Sequence, residues 1–274
     1  MKKKIYLITG SAGFIGYHLS LYLLKNKHIV YGIDNFDNYY DVNLKKKIIS
    51  LLKKYNNFNF AKVDICDEKN LKRFISKIKM INYFIHLAAQ AGVRYSLVNR
   101  RKYLNTNVIG FFNIIEIVKS RSEIKHFLFA STSSVYGENP NKVSSESDST
   151  DKPIQFYAAT KKSNEIFSYA YSKLYKIPST GLRFFTVYGP WGRPDMALYK
   201  FVKNIFQNKK IDIYNYGNHK RDFTYIDDLV KAVIKVSLRP PKKKESYFRI
   251  LNICKGKQNS LFEFINEIKK YTKK

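Results

Sequence analysis

The sequence predicts an α/β protein built on a doubly wound parallel sheet, followed by a small C-terminal cap. Three observations predict it. Strand-sized apolar runs alternate with helix-patterned segments through the first two thirds of the chain. The first run ends in a glycine-rich turn that opens a helix. After Gly189 the texture changes to short elements broken by Pro, Gly and Trp.

Ile5–Thr9 is a near-continuous apolar run of the kind buried on both faces of a parallel sheet. It stops at Gly10, and Phe14, Ile15, His18, Leu19, Tyr22 and Leu23 then mark one face of a helix. Ile29–Ile33 is the second strand. A polar helix around Leu44–Lys54 follows, then a strand at Phe58–Val63, a helix over Asn70–Ile78 and a strand at Tyr83–Leu87. A long helix over Thr106–Lys119 leads to a strand at Phe127–Ala130, and Tyr157–Tyr175 and Ser179–Phe185 read as helix and strand. Such alternation requires right-handed crossovers, hence parallel strands with helices on both faces. Beyond the loop Gly189-Pro-Trp-Gly-Arg-Pro194 come a helix near Leu198–Gln207, a strand at Ile211–Tyr214 and a helix at Ile226–Val236. A linker at Arg239–Lys242 and a closing amphipathic helix at Leu261–Tyr271 complete the order. The expected division is residues 1–188 and 189–274, with some sheet elements shared.

At 45% hydrophobic and 26% charged residues the chain has the composition of a folded globular protein, which excludes wholesale disorder. No apolar run reaches the length of a membrane span. Cys66 and Cys254 stand far apart with no ligand spacing around them, so neither a disulfide framework nor a metal site is expected. The basic start, Met1–Lys4, leads into a short apolar run and glycines without a small-residue cleavage site. The expectation is an unprocessed, cytoplasmic protein.

Fifty Lys and Arg against 21 Asp and Glu leave a net charge of +29. The lysines are scattered, with short clusters at Lys45–Lys47, Lys242–Lys244 and Lys273–Lys274, and no basic stripe accompanies a nucleic-acid motif. Tyr, Phe, Ile and Asn are abundant too and share A/T-rich codons with Lys. A biased genome therefore accounts for the charge, and neither a nucleic-acid partner nor membrane insertion is expected. A polyanion-binding protein is the alternative that the charge leaves open, with steeply salt-dependent DNA binding as its signature.

The stretch Gly10-Ser-Ala-Gly-Phe-Ile-Gly16 directly follows a strand and opens a helix. Gly10, Gly13 and Gly16 permit a tight turn and close backbone approach, and the amides of Phe14 and Ile15 at the helix start suit a pyrophosphate. Asp34 closes the second strand 24 residues after Gly10. A carboxylate there accepts ribose hydroxyls and repels a 2′-phosphate, which selects NAD over NADP and makes the wound domain Rossmann-type. Asn35 lies beside it. Asp64, ending the third strand next to Ile65, is either an acceptor for the adenine amino group or a solvated strand end.

The Gly-x-x-Gly-x-x-Gly spacing resembles that of the extended short-chain dehydrogenase/reductase family, and other segments agree. Tyr157-Ala-Ala-Thr-Lys161 matches the family's Tyr-x-x-x-Lys pair, and a spacing of four puts both side chains on one helix face. The Lys161 ammonium is expected to stabilise a phenolate, drawing Tyr157 down from about 10 so that it serves as general base. Counting back from Val135-Tyr-Gly137, Thr132 falls on the family's catalytic Ser/Thr position, with Ser133 and Ser134 beside the sugar. His86-Leu-Ala-Ala-Gln-Ala-Gly92 matches the strand end that lies along the cofactor, which implies contacts from Leu87, Ala88, Ala89 and Gln90. His86 itself reads as a packed or hydrogen-bonded imidazole rather than a metal ligand. Asn107 matches a position that supports the active-site backbone.

Within that family, Arg183-Phe-Phe-Thr-Val-Tyr-Gly-Pro-Trp-Gly-Arg-Pro-Asp-Met-Ala197 resembles the signature of UDP-glucuronate 4-epimerases. Gln90–Ser96 and Arg221–Asp228 point the same way. The resemblance implies that Arg221 contacts the nucleotide diphosphate, that Arg193 lies near the sugar, and that Thr186, Ser133 and Ser134 orient the hexuronate carboxylate. Arg94 is either a further substrate contact or a surface ion pair. Related dehydratases carry an Asp–Glu pair, and UDP-xylose synthases a Glu, where this chain has Ser133 and Ser134. Epimerisation without elimination or decarboxylation is therefore the expected chemistry, through a transient 4-keto sugar.

The resemblance also implies a homodimer paired through the helices at Thr106–Lys119 and Tyr157–Tyr175. It runs from Ile5 to about Phe264, whereas family members continue for several tens of residues with a further diphosphate-contacting arginine. A cap incomplete in this way is expected to leave the dinucleotide site intact and to weaken the UDP-sugar site by about 1.5–3 kcal/mol per lost charge-assisted partner. UDP-glucose 4-epimerase-like activity and an NAD-binding protein without turnover are the alternatives.

Overall fold

The structure, a computed structural model, describes residues 3–138, 143–218, 220–241 and 246–272. The lysine clusters Lys242–Lys244 and Lys273–Lys274 and the end of the linker at Lys242 lie outside the described residues.

Seven strands form one sheet, all neighbours parallel: β1 (Ile5–Thr9), β2 (Ile29–Asp34), β3 (Phe58–Lys62), β4 (Tyr83–His86), β5 (His126–Thr132), β6 (Ser179–Phe184) and β9 (Phe248–Ile253). Their spatial order is β3-β2-β1-β4-β5-β6-β9. The order reverses between β1 and β4, and a crevice at such a switch point, outside the carboxyl ends of the strands, is where ligands bind in open α/β sheets. The buried-strand reading of Ile5–Thr9 holds at residue level: Tyr6, Leu7, Ile8 and Thr9 are all fully buried.

Helices cover both faces. On one, α1 (Phe14–Lys25), α2 (Val42–Leu52) and α8 (Ile226–Ser237) pack through Leu19, Leu23, Ile48, Leu52, Leu229 and Val233. On the other, α3 (Glu68–Ile75), α5 (Gly110–Lys119) and α6 (Phe156–Tyr175) bring Leu71, Ile75, Phe111, Ile114 and Ile115 against Phe84, Phe127 and Phe129. Each such side chain, fully buried, contributes roughly 1.5–3 kcal/mol. Side-chain caps fix several helix starts, among them those where Asp41 accepts from the Asn43 amide (2.8 Å) and Asp67 from that of Asn70 (3.1 Å). The long helix expected from Thr106 begins earlier, as the short α4 (Arg100–Tyr103), and passes through a π turn at Leu104–Ile109 before α5.

Residues after Phe184 make a second sheet in which β8 (Lys220–Tyr225) lies between β7 (Thr186–Tyr188) and β10 (Gln258–Ser260). Helices α7 (Ala197–Phe206) and α9 (Leu261–Thr272) pack beside it through Phe201, Ile265 and Ile268. The strand expected at Ile211–Tyr214 is not formed. That segment is irregular up to a 3₁₀ turn at Tyr214–Gly217: its Ile211 packs against the Phe201, Ile265 and Ile268 cluster, and it pairs with no strand among the described residues. Instead β8, β9 and β10, which lack a continuous apolar run, supply the late strands.

Candidate active site

The glycine turn is built by contacts that exclude side chains. Gly10 has φ +74°, its amide donates to the Ile33 carbonyl (2.7 Å), and a Cβ there would lie 2.8 Å from the Ala88 nitrogen. A Cβ on Gly16 would lie 2.1 Å from the Gly10 carbonyl oxygen. Gly13 caps α1 without a side-chain bond, and the first turn holds no acidic residue. The amides there are therefore a ready anion site. Phe14 is buried and Ile15 half-buried, so these two offer backbone to the turn while their side chains pack.

Beside the turn, Asp34 is 9% exposed and accepts from the amides of Ala12 (3.1 Å) and Phe36 (2.9 Å). Burial pushes its carboxyl above the usual range, opposed by those two amides and by the Lys45 ammonium. Asn35 donates to Asp64 (2.8 Å), whose other oxygen accepts from the Cys66 amide (2.8 Å). Asn35 and Asp64 line an open groove of about 480 Å³ with Phe36, Asp37, Asn38, Lys62 and Val63. The Ile65 side chain faces inward and packs where a Cβ on Gly110 would stand 2.7 Å away, so only its backbone is offered to a ligand.

The end of β4 is tied to β1 by one hydroxyl. Thr9 Oγ1 accepts from the amides of Leu87 and Ala88 (3.2 Å each) and bonds His86 Nδ1 (2.8 Å). His86 is fully buried, and burial together with the Lys161 charge holds it neutral. Ala89 follows half-buried. Gln90 is held at both backbone groups by one amide: its N–H donates to Asn107 Oδ1 (2.8 Å), and Asn107 Nδ2 donates to its carbonyl (3.1 Å). Asn107 Nδ2 also reaches Thr160 Oγ1 (3.0 Å) on α6. Asn107 lies in the π turn, a local helix widening that recurs at functional sites.

Tyr157 sits in the first turn of α6 and Thr132 at the end of β5. Thr132 Oγ1 accepts from the Ser134 amide (3.1 Å) and lies 3.2 Å from Ser134 Oγ, which places Ser133 and Ser134 in the 3₁₀ turn beside it. The Tyr157 phenol departs from the expectation. Burial raises it, and the groups that favour its ionised form are the Arg193 cation and the Thr132 hydroxyl; Lys161 is not among them. Lys161 is 1% exposed, and burial brings its ammonium down to about 8, partly offset by Glu165. Desolvation thus outweighs the one-turn spacing on which the expectation rested.

Arg193, in the loop after β7, forks onto Asp195: Nε donates to Oδ1 (2.9 Å) and Nη2 to Oδ2 (2.5 Å), and the Tyr39 hydroxyl donates to the same Oδ2 (3.2 Å). Thr186 opens β7, half-buried, in register with Phe223 of β8. Arg221 is exposed on β8, its Nη1 donating to the Lys220 carbonyl (3.1 Å), and Arg94 is exposed on a 3₁₀ turn at Arg94–Leu97. The structure thus gathers Tyr157, Thr132, Ser134 and Arg193, and leaves Arg94 and Arg221 on the surface. Sequence reasoning missed Asp195 and Asn164. Each had a signal: an acid two residues from an arginine in a loop, and a polar residue on the helix face shared by Tyr157 and Lys161.

A family model described as the NAD dependent epimerase/dehydratase family matches residues 6–254. Protein CapI of Staphylococcus aureus is 46% identical over 96% of the chain and 81% of its own length. A probable UDP-glucuronate 4-epimerase of Rhizobium meliloti is 43% identical over 97% of the chain and 81% of its own length. The crystal structure of a Bacillus cereus UDP-glucuronic acid 4-epimerase, in complex with UDP-glucuronic acid and NAD, superposes with a TM-score of 0.88 at 36% identity, covering 98% of this chain and 83% of that one.

Proposed function

Because the chain belongs to the NAD dependent epimerase/dehydratase family, we propose that it interconverts UDP-glucuronate and UDP-galacturonate by inverting C4 of the sugar. The reaction class is NAD-dependent C4 epimerisation of a UDP-sugar, an isomerase reaction. One observation carries the choice of substrate: the likeness to UDP-glucuronate 4-epimerases extends over nearly the whole chain, and Ser133 and Ser134 stand where elimination or decarboxylation would need a carboxylate.

The residues present fit NAD. Gly10 and Gly16 form a cradle that a Cβ would fill, the start of α1 presents uncapped amides, and Asp34 is held by two amides beside it. Gly10, Gly13, Phe14, Ile15 and Gly16 would hold the pyrophosphate, Asp34 and Asn35 the ribose, Asp64 and Ile65 the adenine end, and Leu87–Gln90 with Asn107, Tyr157 and Lys161 the nicotinamide half. When bound there, NAD would supply a reversible hydride acceptor for C4 of the sugar. Tyr157 removes the C4 hydroxyl proton and later restores it, with Thr132 bonding the same oxygen. Its phenol needs a compensating cation, which Arg193 supplies, with the Thr132 hydroxyl bonding it. Thr186, Ser133 and Ser134 fix the carboxylate of the 4-keto acid out of line with the ketone, which suppresses loss of CO₂. Arg221 takes the diphosphate from the surface, with Arg193 nearer the sugar and Arg94 a further substrate contact.

The same reading includes a homodimer, a cytoplasmic setting and division of labour between an NAD-binding part (1–188) and a substrate-binding cap (189–274). Apolar side chains left exposed on neighbouring α5 and α6, among them Phe112 and Ile166, support pairing. Two free cysteines fit a reducing compartment, and no helix among the described residues is long and apolar enough to cross a membrane.

Incubation of the purified protein with UDP-glucuronate and NAD⁺, analysed by chromatography, tests the reaction. UDP-galacturonate should accumulate to equilibrium, with UDP-glucose converted far more slowly. Faster conversion of UDP-glucose would reassign the substrate.

A further inference from the structure

Asn164 lies on α6 within one turn of Lys161 and is fully buried. With its amide oriented to satisfy its neighbours, the nitrogen donates to the Asn107 carbonyl (2.7 Å) and the Thr160 carbonyl (3.0 Å). Its oxygen then accepts from Lys161 Nζ (3.3 Å). The two backbone carbonyls take both amide protons, so the side chain cannot turn over without losing both bonds and facing oxygen to oxygen. The orientation of the Asn164 oxygen is therefore dictated from behind, by the π turn and by α6 itself.

The titratable groups facing Lys161 are each engaged elsewhere or uncharged. Glu165, from the same helix, favours the ammonium, but its carboxylate is held by Arg183 (2.8 and 2.9 Å) and by the Ser131 hydroxyl (2.6 Å). His86, from β4, is neutral and bonded to Thr9. Tyr157, one turn earlier on α6, is itself raised by burial. A lysine 1% exposed needs an acceptor to remain an ammonium, and Asn164 provides one at hydrogen-bonding distance.

We propose that Asn164 is a positioning residue whose fixed carbonyl oxygen keeps the Lys161 ammonium charged and in place during catalysis. This rests on the reading of Lys161 as an active-site cation. Burial, only partly offset by Glu165, brings that ammonium to about 8, close to working pH, so an acceptor held against Nζ bears directly on how much of it stays charged.

Asn164→Ala and Asn164→Asp separate positioning from mere packing. Alanine removes the acceptor. Aspartate keeps an oxygen toward Lys161 but sets another against two carbonyls, so a purely structural role makes it at least as harmful as alanine. Lys161 titration, followed by NMR of ¹³C-lysine-labelled protein and assigned with Lys161→Arg, should have its midpoint near 8 in the native chain, lower by about one unit in Asn164→Ala, and at or above the native value in Asn164→Asp. The alkaline limb of kcat for UDP-glucuronate should move in the same two directions, with KM little changed. Equal midpoints in all three proteins, or a fall in both variants, would overturn the proposal. If the alanine variant does not fold, the aspartate variant decides alone, and a midpoint below the native one overturns it. Should the native protein not convert UDP-glucuronate, the substrate reading fails, and the NMR midpoints still decide the role of Asn164.

Discussion

Glu165 and Arg183 meet as a two-pronged ion pair inside the protein, Nε to Oε1 at 2.9 Å and Nη2 to Oε2 at 2.8 Å, with both residues under 5% exposed. The guanidinium also stacks 4.7 Å over the Tyr136 ring, and Ser131 donates to Oε1. The pair fastens α6 to β6 one turn beyond Lys161. Removing one partner leaves a buried charge alone, which costs about 3–5 kcal/mol. Arg183→Met should lose that much in urea unfolding, and Arg183→Met with Glu165→Leu should recover most of it. A single-variant loss below about 1 kcal/mol would show the pair to be solvated.

Tyr157→Phe removes the proton acceptor and keeps the ring that meets Tyr103 edge-on at 6.1 Å. Turnover of UDP-glucuronate should fall by about 10²–10⁴ while KM stays within a few-fold. A variant that turns over at the native rate would remove the phenol from the mechanism.

Gly16→Ala places a methyl 2.1 Å from the Gly10 carbonyl oxygen, contact with backbone that cannot swing aside. The turn must open, and the start of α1 with it. NAD affinity, by calorimetry, should weaken at least about tenfold. Unchanged affinity would mean that the dinucleotide does not use this turn.

His126 predicts the acid limb of stability. It is fully buried, Nδ1 at 3.0 Å from the Ser237 carbonyl and Nε2 at 2.7 Å from Thr180 Oγ1, while Arg249 Nε donates to that hydroxyl. Nδ1 therefore carries the proton and Nε2 accepts from the Thr180 hydroxyl, which a second proton would force to turn away. Burial lowers the ring from 6.5 to about 4. Between those values the unfolded chain binds a proton that the folded one refuses, so stability falls as pH drops through the window, by up to roughly 3 kcal/mol. Urea midpoints from pH 7 to 4 should show that decline, and His126→Gln should flatten it.

Pairing through α5 and α6 predicts that Phe112→Lys with Ile166→Lys, two side chains 47% and 54% exposed, gives a monomer by light scattering where the native chain gives a dimer. A native chain already monomeric would refute the pairing.

The wound sheet was legible because strands such as Ile5–Thr9, Ile29–Asp34 and Tyr83–His86 are apolar runs set between helix-patterned segments, and the glycine turn declared itself by position. The late strands were not. Within Lys220–Tyr225 and Phe248–Ile253, charged and polar residues interrupt the pattern, and what makes them strands is the partner each finds across the sheet, which a linear pattern does not encode. Tyr157 and Lys161 could be picked out by spacing. Their electrostatics could not, because Arg193 arrives at Tyr157 from a loop more than thirty residues away and desolvation follows from packing. Asn164 was visible as a letter, but its role depends on a carbonyl contributed by another helix.

Neighbouring strands β6 and β9 are joined by residues 185–247, so much of the cap is an excursion from the rim of the large sheet that must return to finish it. The two parts are therefore stitched rather than strung together. A nuclease-style cut of the gene after residue 188 would not yield a free-standing dinucleotide module but a sheet with an unfinished border, its β6 backbone bare and prone to recruit a stranger's strand.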